Sequence, residues 1–196
     1  MTNKKAPSTP QLNLPISMVR DTLDNLPTYS VPSPYVLRWY QPGDEIHWLD
    51  IQVQSNDFAM NLSLERYRKS FGQDVSVLAE RQAFLCDQTG YPIGTASAWF
   101  DDDYAGQAFG QVHWVAIRPN WQGKGLGNAL LSTICHRLRD LGHGQTYLHT
   151  STARTPAIKL YLKFGFVPEI RGDGQADREA WALVKQAMSH SALAAL

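Results

Sequence analysis

Gln111-Val112-His113-Trp114-Val115-Ala116-Ile117 leads through Arg118-Pro119-Asn120-Trp121 into Gln122-Gly123-Lys124-Gly125-Leu126-Gly127, and an apolar-periodic segment follows to Leu141. The first seven residues are rich in β-branched and aromatic side chains and stop at a proline turn, which predicts a strand. Beyond the glycines, Leu126, Leu130, Ile134 and Leu138 fall four apart, with Leu131 and Cys135 beside them. That spacing predicts a helix with one apolar stripe. A glycine-rich turn between a strand and a helix suits an anion. The first helical turn has unpaired N–H groups and a partial positive charge, and glycine lets a phosphate approach the backbone.

Two familiar phosphate motifs do not fit. A P-loop ends in Gly-Lys-Ser/Thr, with the hydroxyl on magnesium, whereas Lys124 is followed by Gly125. A dinucleotide fingerprint has its third glycine at the sixth position and an acid ~20 residues on. Counted from Gly123, the sixth position is Asn128, and no acid lies near Tyr147 and Leu148. What remains, Gln122-x-x-Gly125-x-Gly127 directly after a strand, resembles the Gln/Arg-x-x-Gly-x-Gly/Ala signature of the GNAT superfamily of acetyl-CoA-dependent N-acetyltransferases. A tight strand-to-helix connection with no ligand is the alternative for the six residues alone.

Bulk properties bound the problem. The chain has 196 residues, 43% of them apolar, enough for one domain with a sizeable core. Its 18 basic and 18 acidic side chains cancel, and no block of like charge suggests a nucleic-acid stripe. Cys86 and Cys135 read as small buried hydrophobes, with a reducing compartment as the default. No apolar run is of membrane-spanning length, and the first residues lack a signal-peptide core. A soluble cytoplasmic protein is the expectation.

In chain order, residues 1–33 are expected to form a partly disordered Pro-rich arm, with a short amphipathic turn at Ile16 to Arg20. Residues 34–190 are expected to form a single domain, with 191–196 as a tail. Strands are expected at 35–40, 82–87, 93–100, 111–117, 145–150 and 166–170. Residues 101–110 read as a loop. Asp44 caps a helix presenting Ile46, Leu49 and Val53. A second helix starts at Ser63, carries Leu64, Tyr67 and Phe71 on one face, and stops at Gly72. A last helix runs from about Asp177 with Trp181, Val184 and Met188 on one side. No seventh strand is evident near the C-terminus.

A second stretch strengthens the resemblance. Arg154-Thr155-Pro156-Ala157-Ile158-Lys159-Leu160-Tyr161-Leu162-Lys163-Phe164-Gly165-Phe166 reads as a helix with Thr155 as N-cap, Pro156 at its first position and Gly165 as its stop. The family pattern Asn-x-x-Ala-x-x-Leu-Tyr-x-x-x-Gly-Phe is met at Ala157, Leu160, Tyr161, Gly165 and Phe166. It is missed at Arg154, which puts in doubt any contact the family's Asn makes with the CoA arm.

The resemblance implies an α/β (α+β) fold: a GNAT-like mixed, mainly antiparallel central sheet of six or seven strands flanked by helices. It implies acetyl-CoA as co-substrate, with no metal. The backbone of Gln122, Gly123, Lys124, Gly125, Leu126, Gly127 and Asn128 would cradle the pyrophosphate. Val115, Ala116 and Ile117 would pair with the pantetheine arm as an added strand. Tyr161 is the candidate general acid, its alternative being simple packing on an apolar helix face. Gln111 stands where many members place a catalytic Glu. His113, two residues on and on the same strand face, is the candidate base, or else a structural histidine. His149 and Asp101 to Asp103 are reserves. The two helices after the first strand border the acceptor site in the family, which brings Asn61, Arg66 and Tyr67 near it. The expected activity is acetyl transfer to a primary amine of a small molecule or peptide by direct attack in a ternary complex; the alternative is a non-catalytic acyl-CoA-binding regulatory module. No nucleic-acid or membrane partner is expected, and a homodimer is among the expectations.

Overall fold

The computed structural model describes residues 12–55 and 62–194. Asn61, residues 1–11 of the expected arm and the end of the tail lie outside the described residues. Among those described, seven strands form a mostly antiparallel sheet in the order β2-β3-β4-β5-β6-β1-β7, flanked by six α-helices. The chain divides into two compact units, Arg20–Tyr147 and the remainder.

The larger unit begins with β2 (Val36–Trp39), followed by α1 (Asp44–Ser55), α2 (Leu64–Phe71) and α3 (Val75–Arg81). Three strands come next: β3 (Gln82–Cys86), β4 (Pro92–Tyr104) and β5 (Gln107–Ile117). Then come α4 (Leu126–Asp140) and the start of β6 (Thr146–Ser151). Strands β2 to β5 are antiparallel neighbours, and β6 runs parallel to β5 through Gly110↔Thr146 and Gln111↔Tyr147. Because strand side chains alternate, β3 serves two cores. Phe84 and Cys86 join Trp48, Ile51, Tyr67, Phe71 and Leu78 from the three helices. Leu85, on the other face, packs with Ile93 and Leu126. The α4 stripe forms as its spacing predicts: Leu126, Leu130, Leu131, Ile134, Cys135 and Leu138 are all buried.

The helix after Ser63 is also as expected. Ser63 Oγ accepts from the Arg66 amide, and Gly72 ends the helix at φ 71°. Two expectations fail in this unit. Residues 101–110 form no loop: β4 and β5 continue as a hairpin turning at Ala105 and Gly106, both at positive φ. Cross-strand aromatics override the poor strand preference of the aspartates, since Tyr104 stacks on Tyr147 at 3.6 Å and lies 5.2 Å from Phe109. On α1 the expected stripe turns inward only at Leu49, which packs against the helix-side core. Ile46 and Val53 are exposed, while Trp48, Ile51 and Gln52 are buried. The short helix α3 had no counterpart in the sequence reading.

The smaller unit holds β1 (Pro15–Arg20), α5 (Thr155–Lys163), β7 (Val167–Pro168) and α6 (Gln175–Ala187). The amphipathic turn expected at Ile16 to Arg20 is a strand, with Ile16 and Met18 buried, and it pairs antiparallel with β7. This N-terminal strand supplies the seventh member of the sheet that no C-terminal residues provide. The strand expected at 166–170 shrinks to two residues. Trp181, Val184 and Met188 are buried as their spacing predicts.

Trp48 is fully buried, with ring centroids 5.0–5.8 Å from Trp114, Tyr67 and Phe71. Truncation leaves a large cavity, so Trp48→Ala should lower unfolding stability by about 3–5 kcal/mol in urea titrations; a loss below about 1 kcal/mol would refute its place at the centre of this core.

Candidate active site

The strand β5 departs from regular geometry where the sequence gives no sign of it. Pairing with β4 is regular through Trp99↔Gln111, Ala98↔Val112 and Ser97↔His113, then shifts before Thr95↔Ala116. The extra residue is a bulge at Trp114, which sits at φ +51°, rare for a bulky side chain. The bulge breaks the alternation of side chains. His113 lies edge-on to Phe71 at 5.4 Å, Trp114 lies edge-on to Trp48 at 5.0 Å, and Ala116 belongs to the same cluster. Half-buried His113, Trp114 and Trp99 thus border the helices α1 and α2, and the Arg66 guanidinium lies 5.9 Å from the Trp114 ring centroid.

Helix α1 grips this part of β5 through polar side chains. Gln52 Nε2 donates to the Trp114 carbonyl at 2.8 Å, and Ser55 Oγ donates to the Ile117 carbonyl at 3.0 Å. Asp50 pairs with Arg118 at 2.7 Å. Arg118 is buried; its Nε donates to the Pro92 carbonyl at 3.0 Å, and its guanidinium lies 4.9 Å from the Tyr91 ring centroid. Burial pushes the Asp50 carboxyl upward, but hydrogen bonds from Arg118 and Gln54 outweigh it and hold the group below the ordinary carboxylate range. None of Asp50, Gln52 and Ser55 was singled out in the sequence. For Gln52 and Ser55 the available signal was their spacing with Trp48 and Ile51, which marks the face opposite Ile46 and Val53; Asp50 carried no such signal.

After Arg118 the chain makes one 3-10 turn (Pro119–Trp121) and enters the glycine stretch. Gly123 and Gly125 have φ 75° and 76°, and Gly125 is the cap residue of α4. A Cβ at either glycine would meet no atom within 4 Å, so the space before them is open. Gln122, Gly123, Lys124 and Gly125 are exposed, whereas Leu126 is buried and anchors the turn from below. Gln122 Nε2 donates to the Ile117 carbonyl at 2.7 Å, tying the turn to the end of β5. Asn128 closes the first turn, its backbone N–H donating to the Gly125 carbonyl at 3.0 Å and its Nδ2 at 3.2 Å. The first turn of α4 contains no acidic residue, so nothing there offsets the positive end of the helix.

Every named cofactor residue, from Val115 to Asn128, falls in this continuous segment of the larger unit, together with His113 and Gln111. Gln111 is buried between Trp99 and Tyr147 in the ladder. Tyr67 is a core residue: its hydroxyl donates to Gln82 Oε1 at 2.8 Å, and burial pushes its pKa far up. Asp101 accepts from the Tyr147 hydroxyl at 3.1 Å. In the smaller unit, Tyr161 is buried on α5, its ring 6.1 Å from Phe166. Arg154, rather than the expected Thr155, occupies the cap position of α5, with Thr155 as the first helical residue. His149 Nδ1 lies 2.7 Å from Ser17 Oγ. Among the described residues no group of three or more His, Cys, Asp or Glu side chains is placed to hold a metal ion. Nor is any helix among them long and apolar enough to cross a membrane.

Comparison with known proteins places these features in context. A profile described as the Acetyltransferase (GNAT) family matches residues 44–166, more than half of the chain. Mycothiol acetyltransferase of Thermomonospora curvata is 30% identical over 151 residues, covering 72% of this chain and 47% of that protein. Mycothiol acetyltransferase of Pseudarthrobacter chlorophenolicus is 42% identical over 151 residues, covering 72% and 45%. The chain therefore spans about half the length of the curated relatives it matches. Among solved structures, a GCN5-related N-acetyltransferase from Sphaerobacter thermophilus superposes with TM-score 0.65 at 22% identity, over 81% of this chain and 49% of that one. A phosphinothricin acetyltransferase from Sinorhizobium meliloti in complex with AcCoA superposes with TM-score 0.56 at 23% identity, over 70% and 76%. These two likenesses concern the fold.

The Asp50–Arg118 pair predicts an acid-sensitive end to β5. A carboxylate with a depressed folded pKa contributes stability above its unfolded pKa of about 3.9 and loses it as pH falls through the folded value. The melting temperature of wild type should exceed that of Asp50→Asn at pH 7, and the gap should close below about pH 4. A gap unchanged at low pH would refute the pairing.

Proposed function

The chain belongs to the acetyltransferase (GNAT) family, and from that premise we propose that it moves an acetyl group from acetyl-CoA to a primary amine by direct attack in a ternary complex. The observation that carries this reading is the turn itself: two positive-φ glycines before an open space, at the start of a helix with no acid in its first turn. Diphosphate binds there through the backbone of Gln122 to Asn128. The pantetheine arm lies along Val115 to Ile117. The Ile117 carbonyl already accepts from Ser55 and Gln122, so the added strand pairs chiefly with Val115 and the Ile117 amide.

The neutral amine nitrogen attacks the thioester carbon, the C–S bond breaks, and the proton shed by the acylated nitrogen balances the one that the departing thiolate takes up through Tyr161. An alkylammonium of pKa ~10.4 must be deprotonated before attack. His113 takes that proton, directly or through water. Tyr161 returns a proton to the departing thiolate; its support is its place in the Leu-Tyr-x-x-x-Gly-Phe pattern. Positioning supplies much of the acceleration. The names of the relatives favour a small-molecule amine over a peptide as acceptor. Two buried thiols suit a reducing cytoplasm.

Gln111, where many members carry Glu, gives the binding-module reading its one specific support. Release of free CoA from acetyl-CoA across an amine panel separates the two: turnover supports the enzyme, and tight binding without turnover supports the module. Within the enzyme reading, Tyr161→Phe should reduce kcat at least tenfold while CoA affinity stays within about threefold. Equal loss of both would assign Tyr161 to packing. Gly125→Val should weaken CoA binding more than tenfold in a folded protein, at a backbone cost of roughly 1–2 kcal/mol. Retained affinity would place the cradle elsewhere.

A further inference from the structure

Gln52 is 3% exposed, on the inward face of α1, beside Trp48 and Ile51. A long amide in an aromatic core costs stability unless its polar atoms are satisfied. An apolar side chain would pack there more simply, so its bond to the Trp114 carbonyl calls for an explanation. That carbonyl belongs to the one β5 residue with positive φ. Backbone in this region is strained and persists only where its surroundings over-determine it. Gln52 is one such determinant. Ser55, three residues on, holds the Ile117 carbonyl, and Asp50 holds Arg118. One and a half turns of α1 thus fix three points along Trp114–Arg118, the segment between the aromatic surface and the glycine turn.

We propose that Gln52 is a positioning residue for acetyl transfer: through the Trp114 carbonyl it fixes the tilt of the Trp114–Val115 peptide, and with it the strand edge on which the acyl end of the carrier rests. A trans peptide is planar, with its C=O and N–H pointing in opposite directions. Holding the carbonyl of Trp114 toward α1 therefore directs the N–H of Val115 away from α1. The same bond keeps His113 and Trp114 on one side of the strand, because the bulge that Gln52 holds is what breaks their alternation. Gln52 touches no reacting atom in this scheme. Its effect is on the geometry of those that do, so turnover should suffer while carrier binding at the glycine turn survives.

The inference rests on the acetyl-transfer reading, and the experiment separates the two. Gln52→Met keeps the length of the side chain and removes the donor; Gln52→Leu removes the donor in a shorter apolar side chain. Each is measured beside wild type for kcat, KM for acetyl-CoA, CoA affinity, melting temperature and amide hydrogen exchange in residues 112–118. The expected result is a loss of at least tenfold in kcat in both variants. KM and CoA affinity should stay within threefold, and exchange should accelerate at least tenfold at Trp114 to Ile117. A kcat within twofold of wild type in either variant overturns the positioning role. So does a variant that loses its fold in place of its turnover, which would make Gln52 structural. A wild type that binds CoA but releases no thiol with any amine overturns the transfer reading, and the inference with it.

Discussion

The bulge at Trp114 is the constraint on which the larger unit depends. One extra residue in β5 changes which side chains face α1 and α2, and the helix answers with side chains that satisfy the displaced backbone. Without the Gln52 bond, the Trp114 carbonyl would lose the partner that α1 supplies. Without the bulge, Trp114 would leave the cluster in which it meets Trp48. The irregular strand, the polar residues on α1 and the aromatic core are therefore one arrangement.

The glycine turn is built on a different principle. Its backbone is exposed, and what holds it lies beneath: Leu126 against Leu85 and Ile93, with Trp121 and Ile117 alongside. Gly123 and Gly125 face open space, so glycine is required by positive φ rather than by crowding within the protein. An exposed anion site needs no strongly basic chain, since helix ends and oriented amides supply the charge. That is consistent with a formal net charge of zero.

The order of the elements was legible wherever a strong period or a punctuating residue marked them. Ser63 and Gly72 bound α2, the four-residue spacing from Leu126 to Leu138 gave α4, and Gly165 closed α5. Legibility failed where long-range packing outvoted local pattern. Three aspartates argued for a loop at 101–103, yet Tyr104 and Phe109 hold a hairpin against Tyr147. Ile46, Leu49 and Val53 are spaced as well as Trp48, Ile51 and Ser55, yet only Leu49 of the first three meets the core. Periodicity cannot say which of two plausible faces turns inward when one of them is needed to meet displaced carbonyls.

The sequence by itself determined the family, the glycine turn and the apolar stripe of α4, because each depends on local chemistry: positive-φ tolerance, helix spacing and residue identity at fixed offsets. Only the tertiary structure decided the bulge at Trp114, the inward turn of Gln52 and Ser55, and the recruitment of residues 15–20 as the seventh strand. Each of these settles a backbone hydrogen bond with a partner distant in sequence, and such a partner leaves no periodic trace in the chain that supplies it.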